Sequence, residues 1–175
     1  DKYLAAFTKT PDFPSFKGRM ELVRVPYIRS YRVEQGIYDL QVTEAIAGKH
    51  VAPHANALVA LWATLTRLRR CDPALYPEPI RPAVEALTPI QKADLYADGT
   101  PPSGVKPDIA RELRDSVELM LGESRGAADY EGSVGASPRE AKGALLSAAH
   151  ADRYECLHPV QVFEELESLL EQRSL

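Results

Sequence analysis

Apolar residues along most of this chain recur at the three- and four-residue spacing that lines one face of a helix. Val33, Ile37 and Leu40 open the series, and the pattern predicts a helix from Tyr31 until Gly48 supplies a C-terminal stop. Pro53 starts the next helix, with Leu58, Leu61, Leu65 and Leu68 on one stripe. Arg67, Arg69 and Arg70 close it, where positive charge complements the helix dipole. Cys71 to Arg81 holds three prolines and reads as a linker, followed by a short helix ending near Leu87. Thr88 and Pro89 then restart the chain as a cap with a first-turn proline, running to Asp98 and Gly99. Beyond a Pro/Gly-rich loop, Ile109, Leu113, Val117 and Met120 share a helical face. Ser137 and Pro138 repeat the cap-and-proline signal for a helix that turns Ala141, Leu145 and Ala148 inward. His158 and Pro159 open a last helix with Val160, Phe163, Leu166 and Leu170 as its buried stripe.

Two regions break the helical pattern. After a short helix over Asp1 to Lys9, Pro11 and Pro14 are expected to force extended structure. Met20 to Val25 then reads as a strand, because both of its alternating faces carry apolar residues, and Pro26 ends it. The second region, Gly122 to Gly135, is polar with four glycines and reads as a mobile loop. The predicted fold is therefore mainly α, with one orphan strand ahead of a helical body and no internal repeat.

Composition narrows the function classes. With 175 residues, of which 45% are hydrophobic and 26% charged, the chain can bury one ordinary core, or one core plus an appendage. A formal net charge of -4 argues against a surface built for nucleic acid. The two cysteines, Cys71 and Cys156, are far apart and form no Cys-x-x-Cys pair, which fits a reducing, cytoplasmic setting. No run approaches the roughly 20 apolar residues of a membrane span, and no leader opens the chain, so neither export nor membrane insertion is expected. The first residues, Asp1-Lys2-Tyr3, lack an initiator Met and enter an amphipathic run at once, as in a piece of a longer protein.

The candidate chemistry rests on two arginines. In Tyr130 to Arg139 a flexible loop hands over to a capped helix with Arg139 in its first turn. Helix N-terminal N–H groups and a guanidinium both stabilise phosphate oxygens, so this segment is an anion site or a solvated surface arginine. Phe16-Lys17-Gly18-Arg19 places Arg19 just before the expected strand, at a sheet edge or as an ordinary flanking residue. Metal binding is not expected: His50 and His54 are four apart, but Pro53 between them spoils a shared helix face, and Cys156 with His158 is an isolated pair.

Together these segments and the chain between them resemble the PrkA family, AAA+ proteins described as serine protein kinases. The resemblance spans nearly the whole chain. Its marks are Phe16 to Arg19, Val25-Pro26-Tyr27, Glu34 with Ile37-Tyr38, Leu87-Thr88-Pro89 with Lys92 to Gly99, and Tyr130 to Arg139. Gly135 to Arg139 taken alone is also similar to the sensor region of MoxR-type and chelatase-type AAA+ proteins. The resemblance implies that residues 1–30 end the α/β nucleotide-binding subdomain and that residues 31–175 form the helical lid, with a family-specific extension over about 71–136. It implies Arg139 as the sensor-2 arginine, Ser137 and Tyr38 as further nucleotide-site residues, and Arg19 as an arginine finger acting in trans. ATP and magnesium are implied for the full-length protein, which is expected to be a homo-oligomer.

The sequence also lacks parts such a machine needs. There is no Gly-x-x-x-x-Gly-Lys-Ser/Thr loop and no hydrophobic strand ending in an acidic pair for magnesium, so this chain alone is expected to bind no cofactor and hydrolyse no ATP. Gly-x-Gly-x-x-Gly, His-Arg-Asp and Asp-Phe-Gly are absent as well, which leaves a kinase label unexplained by these residues. The competing reading is a helical interaction or regulatory module without nucleotide chemistry, since exposed loops on a rigid scaffold often bind partners.

Overall fold

In the computed structural model, residues 6–19, 21, 23–127 and 129–173 are described. Ten α-helices can be followed among them: α1 Phe13–Lys17, α2 Tyr31–Gln41, α3 Glu44–Ala47, α4 Ala55–Leu65, α5 Arg81–Glu85, α6 Pro89–Asp98, α7 Pro107–Asp115, α8 Val117–Gly122, α9 Pro138–His150 and α10 Pro159–Arg173. Two short strands, β1 His50–Val51 and β2 Cys156–Leu157, pair in parallel, with His50 opposite Cys156 and Val51 opposite Leu157. The protein is mainly helical, as the periodicity predicts.

Helix α4 is the hub. Its Ala55, Val59, Ala60 and Ala63 are buried, and these small side chains let α2, α9 and α10 pack closely around it. Tyr38, Leu145, Leu157, Val162 and Leu166 fill this first core. The β1–β2 pair ties the chain before α4 to the chain before α10, and Lys49 Nζ reinforces it by donating to the carbonyls of Ala151 and Tyr154 at 3.0 and 2.9 Å, beyond the end of α9. A second core forms from Tyr76, Ile80, Val84, Leu95, Leu113 and Met120, contributed by α5 to α8 and the 3-10 turns before them.

The cap signals hold where they were read. Thr88 accepts from Gln91 N and Ser137 from Glu140 N, both as full capping boxes with proline in the first turn. Gly48 and Gly99 end α3 and α6 at φ of 70° and 72°, a region costly for residues with a Cβ.

Other expectations need correction. The helix expected from Tyr31 to Gly48 is broken at Val42 and Thr43, where the chain turns extended and restarts as α3. Its buried positions are Glu34 and Tyr38, whereas Val33 and Leu40 are exposed. The last helix likewise buries Val162 and Leu166 and exposes Val160, Phe163 and Leu170. Pro14 lies in the first turn of α1, where its fixed φ is compatible with a helix, so it imposes no extended structure. Most of the helix expected over Asp1 to Lys9 lies outside the described residues, and its end is a turn closed by Lys9 N donating to Ala6 O at 3.2 Å. Of the expected strand, Met20 and Leu22 lie outside the described residues, while Glu21 and Val23 to Val25 are not in strand conformation. Val23 and Val25 are 73% and 77% exposed, and no neighbouring strand among the described residues pairs with this segment.

Candidate functional site

Arg139 stands in the first turn of α9, exposed, its side chain making no hydrogen bond or ion pair among the described residues. The opposite face of the same helix, Ala141, Leu145 and Ala148, is locked in the first core. The backbone donors at this helix start are largely used: Pro138 has none, Glu140 N donates to Ser137 Oγ at 3.2 Å, and Ala141 N donates to Ser137 O at 3.1 Å. Glu140 Oε2 in turn accepts from Ser137 N at 2.8 Å. An anion here would therefore meet the Arg139 side chain and its own N–H, not a full helix N-terminus, and Ser137 is occupied as the cap.

The other sequence-derived candidates lie elsewhere. Tyr38 is fully buried, and its hydroxyl donates to Glu34 Oε1 inside the core, so no face of it is open to a nucleotide. Arg19 follows α1 on an exposed turn closed by its N–H donating to Phe16 O at 2.8 Å. Its side chain makes no hydrogen bond or ion pair among the described residues. Nothing joins Arg19, Tyr38 and Arg139 into one constellation.

Sequence reasoning missed two buried ionic networks. In the first, Arg67 and Glu34 pair at two points, through Nη1 to Oε2 at 2.9 Å and Nη2 to Oε1 at 2.8 Å. Arg67 Nη1 also donates to Ile28 O at 2.7 Å, Nε donates to Ala136 O at 2.9 Å, and the guanidinium lies 5.2 Å from the Tyr27 ring centroid. One side chain thus clamps the extended segment before α2, α2 itself and the turn before α9. Gly135 makes room for it: at φ of 122°, a Cβ there would stand 2.7 Å from Arg67 Cγ.

The second network centres on Glu131, which is 3% exposed in the stretch expected to be a mobile loop. Its carboxylate accepts from Lys92 Nζ at 2.6 Å, Arg69 N at 2.8 Å and Tyr96 Oη at 3.0 Å, and Arg29 Nη1 stands 3.7 Å away. Lys92 also donates to Arg69 O at 2.6 Å. The glycines here do not all confer flexibility. Gly132 instead permits close approach, since a Cβ there would meet Pro26 Cβ at 2.9 Å, and its carbonyl accepts from Tyr27 N at 2.8 Å. The available signal was an acidic residue followed closely by Gly132 and Gly135 inside the Tyr130 to Arg139 segment.

A cavity of about 300 Å³ opens beside the end of α4, lined by Leu65, Leu68, Arg70, Cys71, Val84 and Leu87 among others. Burial pushes the Cys71 thiol up, so it stays protonated and offers no thiolate nucleophile. Cys71 and Cys156 are both free thiols. Among the described residues no group of three or more His, Cys, Asp or Glu side chains is placed to hold a metal ion, and no helix is long and apolar enough to cross a membrane.

Comparison with known proteins agrees with the segments quoted above. Residues 90–175 match the family model of the PrkA serine protein kinase C-terminal domain. The protein described as ATP-dependent protease PrkA, from Bacillus subtilis strain 168, is 25% identical over 186 residues, which cover 98% of this chain and 25% of that relative. The chain is similar to proteins of the PrkA family. It spans a quarter of the length of that relative, and the two descriptions name different activities, a kinase and a protease. No solved structure matches.

Proposed function

We propose that this chain is the lid and sensor-2 portion of a PrkA-type AAA+ protein, coupling ATP binding and hydrolysis to motion between subunits. The observation that carries the reading is Arg139, an exposed guanidinium without a partner among the described residues, mounted on a capped helix whose inner face belongs to the core. A pull on that guanidinium is transmitted to α4, α9 and α10 as a unit, because close-packed interiors do not deform continuously. The ATP dependence in the name of the Bacillus subtilis relative adds support.

In this reading ATP and magnesium are held mainly by parts of the full-length protein outside these residues, and ATP supplies the γ-phosphoryl group whose transfer drives the cycle. Arg139 contributes its guanidinium and its own N–H to one phosphate. Ser137 holds the helix start that aims Arg139. Tyr38 contributes position alone, through Glu34, Arg67 and the turn before α9. Arg19 is assigned to the neighbouring subunit's site in a homo-oligomer. The 175-residue chain alone is expected to hydrolyse no ATP.

The test is Arg139→Ala in the full-length protein. Turnover is expected to fall roughly a hundredfold, the scale of losing one preorganised charge donor, with the melting temperature unchanged. Wild-type turnover together with wild-type nucleotide affinity would remove Arg139 from the site. The alternative, an interaction module, draws on Val160 and Phe163, which are 60% and 53% exposed on α10. It requires that Arg139→Ala change nothing while Phe163→Ser abolishes binding of a partner.

A further inference from the structure

A different part of the chain gathers unbalanced positive charge. Between the extended segment of residues 24–29 and the turn following α8 lies a cavity of about 210 Å³ whose lining includes Arg24, Arg29, Ser124, Arg125, Tyr130 and Glu131. Arg24 Nη1 donates to the carbonyls of Arg125 and Ala127 at 2.9 and 2.8 Å, and its guanidinium lies 5.6 Å from the Tyr130 ring centroid. Arg29 Nη1 donates to Leu121 O at 2.8 Å. Each of these bonds uses one nitrogen and fixes the plane of the guanidinium, leaving Nη2 and Nε as oriented donors. Arg125 is exposed and its side chain makes no hydrogen bond or ion pair among the described residues.

Among the described residues the nearby acids offset this set only in part. Glu131, the one carboxylate in the described lining, stands 3.7 Å from Arg29 Nη1 but is shared with Lys92, Tyr96 and the Arg69 N–H, and Asp129 in the same turn pairs with Arg69. Three guanidiniums around one space repel each other, and the fold spends carbonyl bonds on holding two of them there. An anion with more than one negative charge and several acceptor oxygens removes that repulsion and satisfies the remaining donors.

We propose that this cavity is a binding site for a phosphoryl group, separate from Arg139. It opens beside a second hollow lined by Tyr27, Ile28, Ser30 and Tyr96, with Pro26, Arg29 and Leu121 shared between the two. A phosphomonoester on a side chain places its dianionic head among the arginines and the flanking residue against the tyrosines, whereas free inorganic phosphate fills only the first space.

The experiment titrates the 175-residue chain calorimetrically, at constant ionic strength, with inorganic phosphate, with a phosphoserine peptide and with the same peptide unphosphorylated. One saturable site for the phosphorylated peptide is expected, with no binding of its unphosphorylated form. Arg125→Gln should weaken binding about tenfold, as loss of a charged hydrogen-bond donor does. Arg24→Gln is expected to act similarly, and its melting curve shows whether the turn it holds has loosened. Arg125 bears no such structural bond and is the deciding variant. A peptide that binds no tighter than inorganic phosphate keeps the site and assigns it to the free anion. Binding that survives both substitutions, binding lost with Arg139→Ala alone, or no saturable binding of either phosphate source overturns the proposal.

Discussion

Arg67 and Glu34 meet as a two-point ion pair at 2.9 and 2.8 Å, and neither side chain touches solvent. Two charges out of water are tolerated only because each is fully bonded: Arg67 also serves Ile28 O and Ala136 O, and Glu34 accepts from Tyr38. Removing one partner strands the other. Arg67→Met is therefore expected to destabilise the chain by about 3–5 kcal/mol, and Glu34→Met with Arg67→Met together by clearly less. Urea denaturation of both variants checks this. A loss under about 1 kcal/mol for the single variant would mean that the pair is not buried in solution.

Two glycines give a paired control on how the stretch before α9 is held. Gly135 sits at φ of 122° with Arg67 Cγ and Thr66 O at 2.7 and 2.9 Å from where a Cβ would be, so Gly135→Ala should cost at least about 2 kcal/mol through strain and overpacking. Gly143 lies inside α9 with nothing within 4 Å of a Cβ, and Gly143→Ala should stabilise by roughly 0.5–1 kcal/mol. Thermal melts of the two variants must move in opposite directions. If Gly135→Ala melts with the wild type, the turn is not packed on Arg67.

The features legible in the sequence are those that local chemistry decides. Thr88-Pro89 and Ser137-Pro138 announce their helices because a cap hydroxyl and a proline both solve problems at the first turn, whatever lies around them. The face formed by Ile109, Leu113, Val117 and Met120 was readable too, although Ser116 divides it between α7 and α8. What tertiary packing decides was not. Val33 and Leu40 have helical spacing, yet the core lies on the side of Glu34 and Tyr38, since Arg67 reaches from the turn after α4 to pair with that glutamate. Glutamate and arginine ordinarily read as surface residues, so a buried pair leaves no trace in a hydrophobic pattern. Arg139 was legible as an exposed arginine at a capped helix start, whereas the occupation of the neighbouring N–H groups by the capping box emerged only from the hydrogen bonds.

Alkaline pH should expose the same buried networks. Tyr38, Tyr76 and Tyr96 all have their ionisation pushed far above the ordinary value, first by burial and then by a hydrogen bond or charge from Glu34, Glu123 and Glu131 respectively. The folded state thus holds these protons more tightly than the unfolded chain does. Their contribution to stability is complete below about pH 10 and is lost as pH rises beyond it, at up to roughly 1.4 kcal/mol per pH unit for each phenol. Phenolate absorbance from these three should rise only as the helical signal collapses. Ionisation of Tyr38, Tyr76 and Tyr96 near pH 10 with the fold intact would contradict these placements.

Arg19 offers a test of assembly, under the reading in which it reaches a neighbouring subunit. Its side chain is exposed beyond α1, and α1 packs its own small aromatic group, with Phe7 5.7 Å from both Phe13 and Phe16 between ring centroids. The arginine therefore sits on a locally braced turn and makes no hydrogen bond or ion pair with the helical body among the described residues, the condition a residue acting across an interface requires. A fixed guanidinium in a dry site stabilises charge developing on a γ-phosphate without reorganisation, and such a finger can be worth roughly a thousandfold or more in rate. In the full-length protein, Arg19→Ala should abolish most turnover while leaving the fold and ATP affinity intact. Mixing these subunits with others disabled in their own phosphate-binding loop, each inactive alone, should restore part of the activity, because some mixed interfaces set an intact loop against an intact arginine. If Arg19 only braces its own turn, the variant should be less stable, and no mixing ratio would restore hydrolysis. A homo-oligomer of Arg19→Ala with full activity would exclude both roles and leave Arg19 as a surface residue.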